Sequence, residues 1–178
     1  LMNNLFSISL VMRVSFLLFM FQSLFGFGQN KKYDEMLEKL YKHSVPTIQP
    51  KQLNSEYPKN KKILVLDTRE YEEYKVSHLE NAVYVGYDHF NLKPIEKVDR
   101  DVKEEVYCSV GYRSEKVGEK LKEMGFTDVY NLYGGIFEWV NEGYKVVNSN
   151  GEEVKQVHAY NKNWGKWVSN ENYEKVYK

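Results

Sequence analysis

The sequence predicts an α/β fold: a mostly parallel central sheet of about five strands with helices on both faces, followed by a C-terminal extension. Three observations carry this. Short apolar runs alternate with helical patterns along most of the chain. The run Ile63-Leu64-Val65-Leu66 is apolar without interruption, as a strand covered on both faces requires. The last stretch, Gly151 to Lys178, is polar with scattered aromatic residues and breaks the alternation.

The first 30 residues carry one charge, Arg13, and six of the nine Phe. Val14 to Phe27 is apolar apart from Ser15, Gln22, Ser23 and Gly26, and Gly26-Phe27-Gly28 closes it with small residues. A positive end, a short apolar core and a small-x-small exit mark a secretory signal peptide, expected over residues 1–28. The apolar run is short for a membrane span, which takes about 20 residues. The expectation is an exported, periplasmic protein with no stable membrane insertion once the leader is removed. An uncleaved N-terminal anchor is the alternative.

Residues 29–44 read as a helical lead-in, because Met36, Leu37, Leu40 and Tyr41 recur at helical spacing. Pro46 and Pro50 bracket an extended piece, Val45 to Ile48, and Lys51 to Tyr57 suits a short helix. The strand Ile63 to Leu66 ends at Asp67, and Glu70 to Lys75 is a short helix. Ala82 to Val85 is a second strand, residues 87–103 are irregular, and Glu105 to Cys108 is a third strand. Ser114 to Met124 is a helix with Val117, Leu121 and Met124 on one face, stopped by Gly125. Asp128 to Leu132 is a further strand, Gly134-Gly135 opens a short helix ended by Gly143, and Lys145 to Val147 is extended. The domain proper is thus expected over residues 45–147 and the aromatic extension over residues 148–178. Trp164 and Trp167 are expected to pin that extension to the domain.

Composition narrows the function. The 178 residues hold 25 basic and 25 acidic side chains, and this balance argues against a nucleic-acid partner. One cysteine makes no internal disulfide and no thiolate zinc cluster. His43, His78, His89 and His158 have no metal-ligand spacing, so no metal is expected.

The chemistry concentrates in Cys108-Ser109-Val110-Gly111-Tyr112-Arg113-Ser114, between a strand and a helix. That is the carboxyl edge of an open sheet, where ligands bind. The free N–H groups and dipole of the following helix favour an anion there, which should lower a thiol's pKa. Gly111 lets the loop curl so that successive N–H groups form an anion nest, and Arg113 closes it with a positive charge. A lone Cys is more often a small buried core residue. The Gly and Arg at these offsets argue for a reactive one.

Cys108-x-x-Gly111-x-Arg113-Ser114 resembles the active-site loop of rhodanese-like domains, the thiosulfate and persulfide sulfurtransferases. Two further stretches are similar to that family: Asp67-Thr68-Arg69 with Glu73-Tyr74 and His78-Leu79-x-Asn81-Ala82, then Gly125-Phe126 through Leu132, Gly134-Gly135 and Trp139. Asn81 replaces the family's usual Gly, and Asn is the side chain best able to take a left-handed backbone position. The resemblance implies a rhodanese-like fold. It implies that Cys108 is the sulfur-accepting nucleophile and that Ser109, Val110, Gly111, Tyr112, Arg113 and Ser114 line the persulfide pocket. Asp67 and Arg69 would support the site from beside it. Ser109 stands where some thiosulfate-using members carry Arg.

The implied reaction takes sulfane sulfur from thiosulfate or a persulfide onto Cys108 and passes it to a thiol, to cyanide or to a protein acceptor, and it needs no metal and no organic cofactor. Two other readings stay open. One is a persulfide-carrying or sensing, partner-binding module with little turnover. The other is an arsenate or phosphate-ester enzyme, disfavoured because the resembling enzymes of that type place five residues between Cys and Arg whereas four lie between Cys108 and Arg113.

Overall fold

Sheet register is what brings the distant motifs to one edge. The computed structural model describes residues 31–57, 60 and 62–177. The expected leader, residues 1–28, lies outside these described residues. A helix over residues 31–40 (α1) leads into the domain, and Leu37 and Tyr41 are buried. Strand β1 (Thr47–Ile48) and helix α2 (Pro50–Glu56) follow. Pro50 opens α2, where its missing N–H costs no hydrogen bond.

The central sheet then forms from β2 (Ile63–Asp67), β3 (Val83–Tyr84), β4 (Lys103–Tyr107) and β5 (Asp128–Leu132). Its order is β1-β5-β4-β2-β3 and every pairing is parallel. Asp67 lies opposite both Tyr107 and Tyr84, so β2, β3 and β4 end level with one another. Consecutive strand residues point to opposite faces. Val65, Leu66 and Asp67 on β2 and Val106 and Tyr107 on β4 are all buried, so both faces are covered. Leu66, Val106 and Val129 pack on one face with Val117 and Leu121 of helix α4 (Tyr112–Glu123).

Two adjacent carboxylates on β4 have raised pKa values. Glu104 and Glu105 are fully buried neighbours on β4. Burial, with Asp128 nearby, pushes Glu104 up to about 8. Burial pushes Glu105 up to about 7 against the opposing pull of Lys103, whose Nζ lies 3.0 Å from Glu105 Oε1.

Several elements differ from the sequence reading. Strand β4 starts at Lys103 and stops before Cys108, because the pairing with Ile63 extends further back than the apolar run. Helix α4 starts at Tyr112, so Tyr112, Arg113 and Ser114 belong to its first two turns and not to the loop. A one-turn 3-10 helix, Lys93–Ile95, interrupts the segment expected to be irregular. Asn81 takes φ 60°, the left-handed position its side chain suits.

After helices α3 (Tyr71–Val76) and α5 (Gly135–Asn141), the chain adds two small sheets. Strand β6 (Val146–Val147) pairs antiparallel with β7 (Glu153–Val154), and β8 (Gln156–His158) pairs parallel with β9 (Glu174–Val176). A one-turn helix, α6 (Lys162–Gly165), lies between the last two strands. This extension docks on the domain. Val157, Ala159, Val168 and Tyr173 are buried, and Tyr173 Oη donates to the Tyr144 carbonyl at 2.8 Å. Asn141 at the end of α5 donates to the Trp167 carbonyl and accepts from the Ser169 amide. Trp164 and Trp167, the residues expected to pin the extension, are partly buried, and Trp164 lines a cavity together with Leu40 and Val110 of the domain.

Candidate active site

Cys108 leaves β4 at the carboxyl edge of the sheet, and the chain turns into α4 within three residues, Ser109 to Gly111. Gly111 makes the turn at φ 96°. A Cβ there would overlap the Tyr41 hydroxyl, so the position needs Gly both for conformation and for space. Its amide donates to Cys108 Sγ at 3.1 Å. The first amides of α4 lack intrahelical acceptors and add the positive end of a helix dipole at the same place.

The loop is held from three sides. Tyr41 Oη donates to the Val110 carbonyl at 2.6 Å and accepts from the Gly134 amide at 3.0 Å. Burial pushes the Tyr41 phenol well above its ordinary range, which keeps the hydroxyl a donor. At the start of α5, Ile136 and Phe137 donate to the Cys108 and Ser109 carbonyls at 2.9 and 3.1 Å. Gly135 permits this approach, because a Cβ would strike the Cys108 carbonyl. Asn131 Nδ2 donates to the Gly111 carbonyl at 2.9 Å, while Ser114 Oγ donates to Asn131 Oδ1 at 2.7 Å.

Arg113 does not face the pocket as a free charge. Its Nη1 and Nη2 donate to Glu73 Oε2 and Oε1 at 2.7 and 2.8 Å, and Nη2 also reaches Ser109 Oγ at 3.0 Å. Glu73 is fully buried and caps α3 through the Glu70 amide. Burial pushes the Glu73 carboxyl up, but its hydrogen bonds and the charges of Arg113 and Arg69 outweigh this and hold it at about 2. His158 from the extension stands behind the pair, with Nδ1 3.9 Å from Glu73 Oε1.

Asp67 and Arg69 form a second buried pair, Nη2 to Oδ2 at 2.7 Å, with neither side chain exposed. Arg69 also donates to the Ser77 carbonyl at 2.6 Å, and Tyr107 Oη donates to Asp67 Oδ2 at 2.6 Å. The pair thus clamps the residue before Cys108 to the turn after α3 and lines no part of the pocket.

A cavity of about 300 Å³ opens over Cys108, lined by Leu40, Ser109, Val110, Tyr112, Arg113, Tyr160 and Trp164. Cys108, Ser109, Val110, Tyr112 and Arg113 therefore come together as the sequence reading expected. Gly111 contributes its amide from behind the thiol. Ser114 is a correction: it is buried on the far side of the helix start, where it orients Asn131. The sequence reading missed Glu73, Tyr41, Tyr160 and Trp164. Glu73 had a signal in the spacing Glu70-x-x-Glu73 at a helix start, a capping box that the structure contains. Tyr41, Tyr160 and Trp164 had none, since only tertiary packing delivers them.

A family profile described as rhodanese-like domain matches residues 49–142. The chain belongs to the rhodanese-like domain family. Among its relatives, thiosulfate sulfurtransferase GlpE of Coxiella burnetii is 33% identical over 84 residues, covering 47% of this chain and 78% of that protein. A tRNA uridine(34) hydroxylase of Hamiltonella defensa is 35% identical over 96 residues, 51% of this chain, and the chain spans 27% of its length. Thiosulfate sulfurtransferase of Pseudomonas aeruginosa superposes with a TM-score of 0.55 at 19% identity, over 79% of this chain and 26% of that one, a likeness of fold. Cys108 lies within the matched residues.

Proposed function

We propose that this rhodanese-like domain is a sulfurtransferase that carries sulfane sulfur on Cys108. The observation that carries the reading is the Gly111 amide 3.1 Å from Cys108 Sγ at the mouth of α4. A donor aimed at that sulfur, at the amino end of a helix, is placed to hold the charge of a persulfide anion once the sulfur is loaded. The short loop is clamped by Tyr41 and α5, and a wider cavity opens over Cys108. In the first half-reaction the Cys108 thiolate attacks the sulfane sulfur of a donor. With thiosulfate, the S–S bond breaks and sulfite leaves with the bonding pair. In the second, a thiolate or cyanide attacks the outer sulfur of the Cys108 persulfide, and the thiolate returns. This is covalent catalysis with two half-reactions.

The apolar run before Gly28 supports export, with the mature chain starting near Gln29. Intact mass spectrometry after exposure to thiosulfate and to a persulfide tests the chemistry. The wild-type chain should gain one sulfur, and Cys108→Ser should fold normally and gain none. Uptake from no donor, with Cys108 also resisting alkylation in the native protein, would leave it a core residue and end the sulfur-transfer reading.

A further inference from the structure

The cavity over Cys108 is far larger than a sulfur atom, and its wall does not come from the Cys108 loop alone. Leu40, Val110, Tyr112, Tyr160 and Trp164 surround the thiol, and Tyr160 and Trp164 belong to the C-terminal extension. The wall is built in place. Tyr160 holds φ 62°, a left-handed conformation that non-Gly residues adopt only when their surroundings impose it. Its amide donates to the buried His158 Nδ1 at 3.2 Å, and its ring lies over the Arg113 guanidinium at 5.6 Å. Asn161 Oδ1 accepts from the Asn163 and Trp164 amides at 2.9 and 3.1 Å, which fixes the turn presenting Trp164. Gly165 next to it is buried where a Cβ would crowd the Tyr177 ring.

The charge of this cavity is as informative as its shape. Among the described residues, Arg113 is the only ionisable cation in the lining, and Glu73 neutralises it through two hydrogen bonds. A dianionic donor entering here would lose water and meet no uncompensated positive side chain in that lining. An apolar group would bury its surface against two aromatic rings and Leu40.

We propose that the C-terminal extension sets the donor class of Cys108: an organic hydropersulfide R–S–SH whose apolar R group seats against Tyr160 and Trp164. The inference rests on the sulfur-transfer reading and specifies its substrate. The Cys108 thiolate attacks the outer sulfur, the R–S–S bond breaks, and R–S⁻ leaves with the bonding pair. Cys108 is left as Cys–S–SH, so the proton stays with the transferred sulfur and no external oxidant or reductant is needed. Tyr160 and Trp164 touch R and take no part in bond-making.

The test compares two donors with the same S–S chemistry and different R groups, benzyl hydropersulfide and 2-sulfonatoethyl hydropersulfide, with thiosulfate as a third. Loading of Cys108 is followed by rapid alkylation and intact mass on the full chain. The benzyl donor should load wild-type protein at least tenfold faster than the sulfonate donor. Trp164→Ala and Trp164→Leu should each lower that ratio at least fivefold, with folding checked by thermal melting. If Trp164→Ala fails to fold, the wild-type ratio and the Leu variant still decide. A wild-type ratio near one, or a ratio unmoved in the folded variants, overturns the assignment while sulfur transfer stands. Failure of all three donors to load wild-type Cys108 overturns the sulfur-transfer reading and this inference with it.

Discussion

Glu73→Gln is the substitution that most directly tests how the catalytic loop is held. The side chain keeps its size, so no cavity forms and the change is one of charge and donor pattern. Gln retains one oxygen that Arg113 can meet, but its amide NH₂ turns a donor toward a donor. Arg113 is left with 16% of its side chain exposed beside a partner that was fully buried. Breaking a buried pair on one side costs roughly 3–5 kcal/mol, and the partial exposure of Arg113 argues for the lower end, about 3 kcal/mol. An exposed pair would cost only about 0–1 kcal/mol. Urea unfolding at neutral pH resolves the two, since a loss of about 3 kcal/mol moves the midpoint by about 1 M or more at ordinary slopes.

The pH dependence gives a second handle on the same pair. Glu73 is held at about 2 in the folded chain against an ordinary value of 4.5. A carboxyl with a depressed folded pKa adds stability that is fully present above its unfolded pKa and is lost as pH falls through the folded one. The gap between wild type and Glu73→Gln should therefore be constant from pH 7 to about 5.5 and should close between about 4.5 and 2. Sulfur loading should also fall in the variant, because Arg113 and Ser109 Oγ lose a common anchor. A loss below about 1 kcal/mol at pH 7, or a gap that widens on acidification, would refute the claim that this pair holds the loop.

Further outcomes follow from the same geometry. Asp67→Ala should cost at least about 3 kcal/mol in urea unfolding, because it strands the fully buried Arg69; unchanged stability with lost sulfur loading would instead give Asp67 a direct catalytic role. Gly111→Ala should lose about 1–3 kcal/mol, since it forces a left-handed side chain against the Tyr41 hydroxyl; a neutral effect in thermal melting would show that the loop relaxes freely. Glu104, raised to about 8, should favour folding while protonated, so wild-type stability should fall as pH rises from about 4.5 through 8. Glu104→Gln should flatten that fall, and an unchanged pH profile would show that Glu104 ionises freely. Truncation after Asn150 removes the buried Val157, Val168 and Tyr173 and should cost at least about 4 kcal/mol; limited proteolysis that removes the segment without lowering the melting temperature would count against docking.

Much of the architecture follows from local pattern. The apolar run at Ile63, the spacing of Val117 and Leu121, and the glycines at 111, 125 and 134 each report a conformation that nearby residues alone require. The parallel sheet could be read because strands alternate with helices, and Cys108 could be placed at its edge because a strand ends there and a helix begins. These are short-range facts, and the chain carries them wherever it goes.

The partners of the loop were not legible in that way. Arg113 looks like an anion ligand in sequence, and it became a clamp only when α3 set Glu73 against it, 40 residues away. Tyr41 reads as one more apolar residue on a lead-in helix, yet its hydroxyl joins Val110, 69 positions on, to Gly134. Trp164 reads as a pin for the extension, and only the folded chain shows that it stands over the thiol while Val157, Val168 and Tyr173 are buried in the same segment. Periodicity tells which face of an element is buried, but not which distant side chain will meet it. That choice depends on sheet register and on the angles at which helices dock. In this chain the proposed nucleophile is therefore written in local sequence, while the charge and apolar lining of the pocket around it are set by contacts that exist only after folding.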